Sequence, residues 1–367
     1  MTETVKAIGV ISGTSMDGID VSVIDTDGAG RVTPGPGATY PYAPALRGDL
    51  LKVIAAPELA ERDPLDALER DVTRAHCDAV SAFMRAHAIP RENVRYVGMH
   101  GQTVFHRPER RFTRQLLDGK LAAALLGIDV VNRFRHADVA AGGEGAPFAP
   151  LFHRAMVAAL PQPVMVLNLG GVGNVTYVDG KTCIAFDTGP ASALLDDFVF
   201  KRTGKAYDEG GALAASGQAD AAMVAHFMAN PFFGRPAPKS LDRQDFRARA
   251  AGVEALGDAD GAATLAAFTV EATAAALRHV PRAPARWLVC GGGRLNATFM
   301  RLLAARLGVP VDPVEAIGWN GDVIEAQCFA YLAVRSAQGL PLSLPTTTGV
   351  PRPLTGGELW RAAAGAA

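Results

Sequence analysis

Two segments of the chain repeat one pattern: a β-branched run, a turn built from small residues, and a second β-branched run. The first is VKAIGVI, SGTSMDGI, DVSVID from Val5 to Asp25, and the second is VMVLNLGGVGNVTYV from Val164 to Val178. Such runs flanking a polar, glycine-containing turn predict hairpins. Two units of this kind in one chain predict a duplicated α/β architecture of two lobes. The chain can support it, because 367 residues at 49% hydrophobic content suffice for two cores without disulfide or metal staples.

The rest of the pattern fills in around the hairpins. Helical spacing predicts helices over Leu65 to Ala88, Leu116 to Leu126, Ala191 to Lys201, Ala259 to His279, Asn296 to Leu307 and Glu325 to Gln338. Short apolar runs predict strands at Val94 to Met99, ending in HGQT, at Ile128 to Val131, at Thr182 to Phe186 before DTGP, and at Trp287 to Val289. The stretch Phe134 to Phe152 is rich in Gly, Ala and Pro and lacks periodicity, so it reads as a functional loop or crossover. The expected lobes are 1–133 and 134–367, with a C-terminal segment able to pack back on the first.

Charge and cysteines narrow the class. Thirty-six Lys and Arg against 37 Asp and Glu leave a net charge of -1, which gives no broad field for nucleic acid or an anionic membrane. Cys77, Cys183, Cys290 and Cys328 lie too far apart for redox or zinc-ribbon spacing, and reduced, buried thiols are expected. The N-terminus has no basic and apolar leader pattern, and no apolar stretch reaches spanning length. The expectation is a cytoplasmic enzyme whose partner is a small molecule, with no nucleic acid or membrane; a homodimer is left open.

Four motifs carry chemistry. In Ser12-Gly13-Thr14-Ser15-Met16-Asp17-Gly18, small residues let backbone N–H groups and hydroxyls approach phosphate oxygens. No GxxxxGK[ST] occurs, and Asp17 in place of a lysine suggests a hydrated Mg²⁺ offsetting nucleotide charge. Gly170, Gly171 and Asn174 occupy the matching place in the second hairpin and predict a second phosphate cradle. Two cradles in two similar units imply a nucleotide cleft between lobes. An ordinary polar hairpin tip is the alternative for either.

Asp187, in Asp187-Thr188-Gly189-Pro190, follows an apolar strand end and can serve as a general base or hold a metal-bound water. A capping or turn role is the plainer alternative. An aspartic protease would need two D-T-G triplets, and there is one. Gly291, Gly292 and Gly293 follow a strand and precede a helix, which suits close approach to adenine, ribose or phosphate. The GxGxxG spacing of dinucleotide folds is missing. His100 and Gln102 are candidates for sugar hydroxyls and Arg135 for a carboxylate. Asp138 and Glu325 are further candidates for substrate contact, and Lys239, Ser240 and Gln327 complete the polar set, with structural or capping roles as alternatives.

In order, GVISGTSMDGID from Gly9, HGQTVFH from His100, DVAAGGEGAPFAP from Asp138, LNLGGVGNVTYV from Leu167, AFDTGPASALLDDF from Ala185, PKSLDR from Pro238, VCGGGRLN from Val289 and EAQCFAYLA from Glu325 resemble the anhydro-N-acetylmuramic acid kinase family. The resemblance spans Gly9 to Ala333. It implies two actin-like, ribonuclease-H-like lobes with ATP and Mg²⁺ in an interlobe cleft, and a role in peptidoglycan recycling. The implied reaction converts 1,6-anhydro-N-acetylmuramic acid, ATP and water into N-acetylmuramic acid 6-phosphate and ADP. Carried onto this chain, Gly13 to Asp20, with Ile19, is the ATP-phosphate site and Asp187 the catalytic base.

Two positions depart from the family pattern: Arg133 stands where an acidic residue precedes Phe-Arg, and Glu144 where the GGxGAP loop has Gln. Both bear on the fine substrate preference. Competing readings are another actin-like carbohydrate kinase acting on a free sugar hydroxyl, and a non-catalytic ATP-binding switch. The switch gives no reason for HGQT or the GGEGAP loop.

Overall fold

Gly9 on strand β1 (Val5–Ser12) and Gly98 on β4 (Val94–Arg107) are register partners in a parallel ladder. A Cβ on Gly9 would lie 1.8 Å from the Ala326 carbonyl oxygen, and one on Gly98 2.1 Å from that of Phe329. Bare backbone at both positions lets the helix Ile324–Ala337 lie directly on the sheet. That helix is buried continuously from Ala326 to Arg335. Tyr331 and Arg335 donate to the carbonyls of Ala29 and Gly28, each at 2.7 Å.

The computed structural model describes residues 3–13, 16, 18–62, 64–241, 246 and 250–363. The chain divides into two compact units, Met1–Ala158 with Val323–Ala367, and Ala159–Asp322. Residues 134–158, expected in the second lobe, therefore lie in the first. Their aromatic residues explain this: Phe134 packs on Phe329 at 5.2 Å between ring centres and Phe152 on Tyr331 at 5.7 Å. The aperiodic stretch also contains two short helices, His136–Ala140 and Pro150–Met156.

In the first unit, β2 (Ile19–Thr26) and β3 (Val32–Tyr40) extend β1 as an antiparallel meander. On the other side, β4 and β6 (Val130–Asn132) run parallel to β1. β5 (Phe112–Leu116) pairs with β4, and β12 (Glu358–Trp360) closes the edge at β6. Ala7 to Ser12 of β1 are buried on both faces, as a sheet covered by helices on each side requires. One cover is the helix Ile324–Ala337, and the other is Asp66–Ala86, which buries Val72, Val80 and Phe83.

The second unit repeats the plan. β7 (Val164–Leu169), β8 (Val172–Asp179) and β9 (Thr182–Pro190) form the meander, and β10 (Arg286–Cys290) and β11 (Val311–Pro313) run parallel beside β7. The order β11-β10-β7-β8-β9 matches β6-β4-β1-β2-β3 in both sequence and sense. This is the duplicated α/β topology that the two hairpins predict, and it agrees with the ribonuclease-H-like lobes that the resemblance implies. Its core is aromatic, with Phe232, Phe233, Phe246 and Phe268 meeting at ring-centre distances of 5.6–6.1 Å.

Three element boundaries differ from expectation. β4 continues through HGQT to Arg107, because Gly101 at φ +76 takes up a register shift that a Cβ would resist. The helix expected from Leu116 starts at Gly119, where Asp118 accepts the Leu121 amide at 3.0 Å as its cap. Asp187 to Pro190 lie inside β9, so DTGP is strand and the following helix begins at Ser192.

Candidate functional site

In the first unit, Ser12 ends β1 opposite Gln102 of β4. The Ser12 hydroxyl donates to Gln102 Oε1 at 2.7 Å, and Gln102 Nε2 donates to the Gly13 carbonyl at 3.3 Å. Tyr42 places its hydroxyl 3.4 Å from the same Oε1. Gln102, expected on a sugar hydroxyl, is fully buried and braces the turn instead. Met16 completes that turn, its amide donating to the Gly13 carbonyl at 3.1 Å. It sits at φ +54, a left-handed conformation unusual outside glycine, and its side chain is buried.

Thr14, Ser15 and Asp17, expected as phosphate and metal residues, lie outside the described residues. Gly18 packs closely, since a Cβ there would come within 2.5 Å of Thr39 Cγ2. The Ile19 side chain belongs to the core at 1% exposure, so only its backbone is available to a ligand. Asp20 is half-buried and accepts from the Thr39 hydroxyl at 2.6 Å.

His100, Arg135 and Glu325 form one electrostatic group. Arg135 Nε donates to His100 Nε2 at 2.8 Å, and Arg135 also donates to the Gly145 carbonyl. His100 Nδ1 lies 2.8 Å from the Gly101 carbonyl. Burial, then the Arg135 charge, hold the His100 pKa well below its ordinary value. The Glu325 carboxyl is solvent-accessible but set deep among protein atoms; this desolvation and the Asp20 charge raise its pKa, while Arg135 opposes them.

Asp138 is 1% exposed, and both its carboxylate oxygens are engaged. Oδ1 accepts the Gly145 amide at 2.8 Å, and Oδ2 accepts the Thr348 hydroxyl at 2.6 Å. This expected substrate contact is placed as the anchor of the 142–147 loop. Glu144 joins through its backbone, donating to the Thr348 carbonyl at 2.7 Å and accepting from His106 Nε2 at 3.0 Å. Arg133 is exposed and pairs with Glu358 at 3.0 Å.

In the second unit, Asn168, Asn174 and Asp187 are successive register partners across β7, β8 and β9. Asp187 is half-buried; its amide donates to the Lys239 carbonyl at 2.9 Å, and its Oδ2 accepts the Leu241 amide at 2.8 Å. The Leu241 amide thus holds one carboxylate oxygen, beside Asn174 and a few positions along the sheet from the β7–β8 turn. There the Gly170 carbonyl accepts the Ser192 amide and hydroxyl at 2.9 and 3.0 Å.

The glycines divide into two kinds. Gly291 has φ +76, and a Cβ would lie 2.3 Å from Asn168 Oδ1, while one on Gly293 would lie 2.6 Å from Leu169 Cβ. Packing demands glycine at both. A Cβ on Gly292 would meet nothing within 4 Å, and those on Gly170 and Gly171 would make only ordinary contacts at 3.6 and 3.4 Å. None of these three has a positive φ that would require glycine. Their bareness suits a ligand that approaches the backbone.

Gly292 and Gly293 line a cavity of about 320 Å³ within this unit, with Ser192, Asp196, Tyr207, Asp208 and Leu295 among its walls. Tyr207 is 59% exposed and Leu295 68%, apolar surface of the kind a flat ligand covers. Arg294 braces the glycine turn from behind, donating to Gly291 O at 3.1 Å and pairing with Glu315 and Asp322. Sequence reasoning found the glycines but missed Tyr207, Asp196 and Leu295. Leu295 lies just beyond Gly293 and Arg294 and was the available signal.

The family model described as anhydro-N-acetylmuramic acid kinase matches residues 5–362. The chain belongs to the anhydro-N-acetylmuramic acid kinase family. An anhydro-N-acetylmuramic acid kinase from Rhodospirillum rubrum is 49% identical over 361 residues, covering 98% of this chain and 95% of the relative. One from Acidiphilium cryptum is 51% identical over 360 residues, covering 97% and 98%. Among solved structures, component A of the (R)-2-hydroxyglutaryl-CoA dehydratase from Acidaminococcus fermentans aligns at TM-score 0.48 and 10% identity, covering 91% of this chain and 99% of that one. Among the described residues, no helix is long and apolar enough to cross a membrane.

Proposed function

We propose that the chain is an ATP-dependent kinase that opens the 1,6-anhydro ring of 1,6-anhydro-N-acetylmuramic acid with water and phosphorylates O6. The products are N-acetylmuramic acid 6-phosphate and ADP. Membership of the family over residues 5–362 supports the reaction, and the fixed Asp187 carboxylate supports its residue assignment.

In the anhydro sugar, O6 is bonded to C1 and carries no hydroxyl. Asp187 takes a proton from a water whose oxygen bonds to C1. As the C1–O6 bond breaks, O6 bonds to the γ-phosphorus, and the bond from that phosphorus to ADP breaks. Capture of O6 by phosphorus takes the place of the carboxylic acid that protonates the leaving oxygen in an inverting glycosidase. Backbone donors at the Gly170–Gly171 turn offset charge on the transferring group. Tyr207, Leu295 and Gly292 receive the nucleoside, and Arg135, with His100 behind it, faces the acidic part of the sugar.

Mg²⁺ would be held by one or two carboxylates together with water and phosphate oxygens, and would offset charge on the nucleotide phosphates. Among the described residues no cluster of three or more potential ligands occurs. Asp20 and Glu325, whose charges repel, are the described carboxylates suited to it; Asp17 is the further candidate outside them. The four cysteines are buried, which suits the reducing cytoplasm we assign to the enzyme.

Turnover in ¹⁸O water tests the reaction. The label is expected on the C1 hydroxyl, with phosphate on O6. Label in the phosphate would overturn water attack at C1, and an Asp187→Asn enzyme that still turns over at the unsubstituted rate would overturn the assignment of Asp187 as the base.

A further inference from the structure

The loop Pro238–Leu241 grips Asp187 at both ends of the residue. Its Lys239 carbonyl accepts the Asp187 amide at 2.9 Å, and its Leu241 amide donates to Asp187 Oδ2 at 2.8 Å. The Lys239 side chain turns inward and is 6% exposed. Its Nζ donates to the Phe232 carbonyl at 3.0 Å and lies 3.3 Å from His279 Nε2. The ammonium also stands 4.5 Å over the centre of the Phe232 ring and 5.8 Å from that of Phe186, the residue before Asp187.

This is a costly place for a cation. Burial, followed by the charges of Arg278 and Arg235, lowers the Lys239 pKa to about 8, with Asp187 opposing. His279 adds no compensating charge, since burial lowers its own pKa and Lys239 and Arg278 lower it further, against its bond to Phe233. An apolar side chain of similar length would fill the space without desolvating a charge. Loop anchoring by packing alone therefore does not account for lysine.

We infer that Lys239 is a positioning residue for Asp187: pinned on the Phe232 carbonyl and ring, it fixes the loop whose backbone orients the carboxylate, and its charge favours the ionised carboxylate. The inference rests on the assignment of Asp187 as the base. Coupling between the two is reciprocal, so the Asp187 charge that favours protonated Lys239 is matched by an ammonium that favours deprotonated Asp187.

The experiment compares Lys239→Met, Lys239→Arg and Asp187→Asn for kcat, KM for ATP, the pH dependence of kcat, and melting temperature. Lys239→Met is expected to lower kcat about 10- to 100-fold with KM for ATP little changed, because misplacing the base affects the reaction step. The acidic limb of its pH profile is expected to move up by about 0.5 pH unit or more, with no loss of melting temperature. Lys239→Arg is expected to restore the position of the limb.

An unchanged kcat in Lys239→Met would overturn the inference, as would a fall in kcat that tracks lost melting temperature with the limb unmoved. If Lys239→Met does not fold, Phe232→Leu removes the ring under the ammonium. A lower kcat at constant KM then supports the inference, and an unchanged kcat overturns it. An Asp187→Asn enzyme with full activity would instead sink the base assignment itself, which separates the two failures.

Discussion

Arg135 Nε donates to Nε2 of His100 across 2.8 Å, and this bond leaves the imidazole only one workable form. With Nε2 accepting, the proton resides on Nδ1 and is donated to the Gly101 carbonyl at 2.8 Å. The ring is neutral and cannot serve as a proton shuttle near neutral pH. His76, His106 and His153 are further histidines that burial holds low, each to about 4.

A pH dependence of stability follows from these four rings. Their folded pKa values lie below the unfolded value of 6.5, so below pH 6.5 the unfolded chain binds more protons than the folded one. Their contribution is complete above pH 6.5 and is lost as the pH falls through 6.5 toward 4. Urea unfolding is expected to weaken over this window by up to about 1.4 kcal/mol per pH unit for each fully buried ring. Histidine resonances of His76 and His153 titrating near 6.5 in the folded protein would contradict the expectation.

The glycines give a test with opposite signs. Gly292→Ala and Gly171→Ala place a methyl where the protein has room, so melting temperature is expected to hold while KM for ATP rises about tenfold or more. Gly291→Ala forces a side chain into φ +76 and against Asn168 and Leu169, which is expected to cost more than about 2 kcal/mol. Parallel melting curves and ATP titrations separate the two classes. Equal destabilisation by Gly292→Ala would show that its bareness serves packing.

Asp138 is expected to act through the loop it holds. Asp138→Ala leaves the Gly145 amide and the Thr348 hydroxyl without their acceptor, a loss of about 2–4 kcal/mol for buried groups bonded to a charge. KM for the sugar is expected to rise more than KM for ATP, because Gly145 also accepts from Arg135. Denaturant midpoints together with both KM values check this. A sugar KM unchanged at reduced stability would detach the loop from substrate recognition.

Local pattern made the two hairpins and the principal helices legible, because β-branched runs, small-residue turns and helical spacing are written over neighbouring residues. The duplicated α/β plan followed from them. The Ser12–Gln102 bond is set by the parallel pairing of β1 and β4, a register that no local pattern reveals. The Asp138–Thr348 bond is hidden for the same reason, since Thr348 lies 210 positions away along the chain. The first-unit placement of residues 134–158 depends on aromatic packing against the helix Ile324–Ala337, which spacing alone does not encode.

Tyr207 and Leu295 are far apart in sequence and reach one cavity only through the fold. A tyrosine 59% exposed and a leucine 68% exposed on its walls gain from being covered by a base, and stacking on an aromatic ring adds to plain burial. Tyr207→Ala is expected to raise KM for ATP about tenfold with kcat nearly unchanged, since the base is remote from the transferring phosphate. Tyr207→Phe keeps the ring and is expected to stay within about twofold of the unsubstituted enzyme. Steady-state kinetics with ATP varied at saturating sugar measure both, and a Tyr207→Ala enzyme with unaltered KM for ATP would remove this cavity from the nucleotide site.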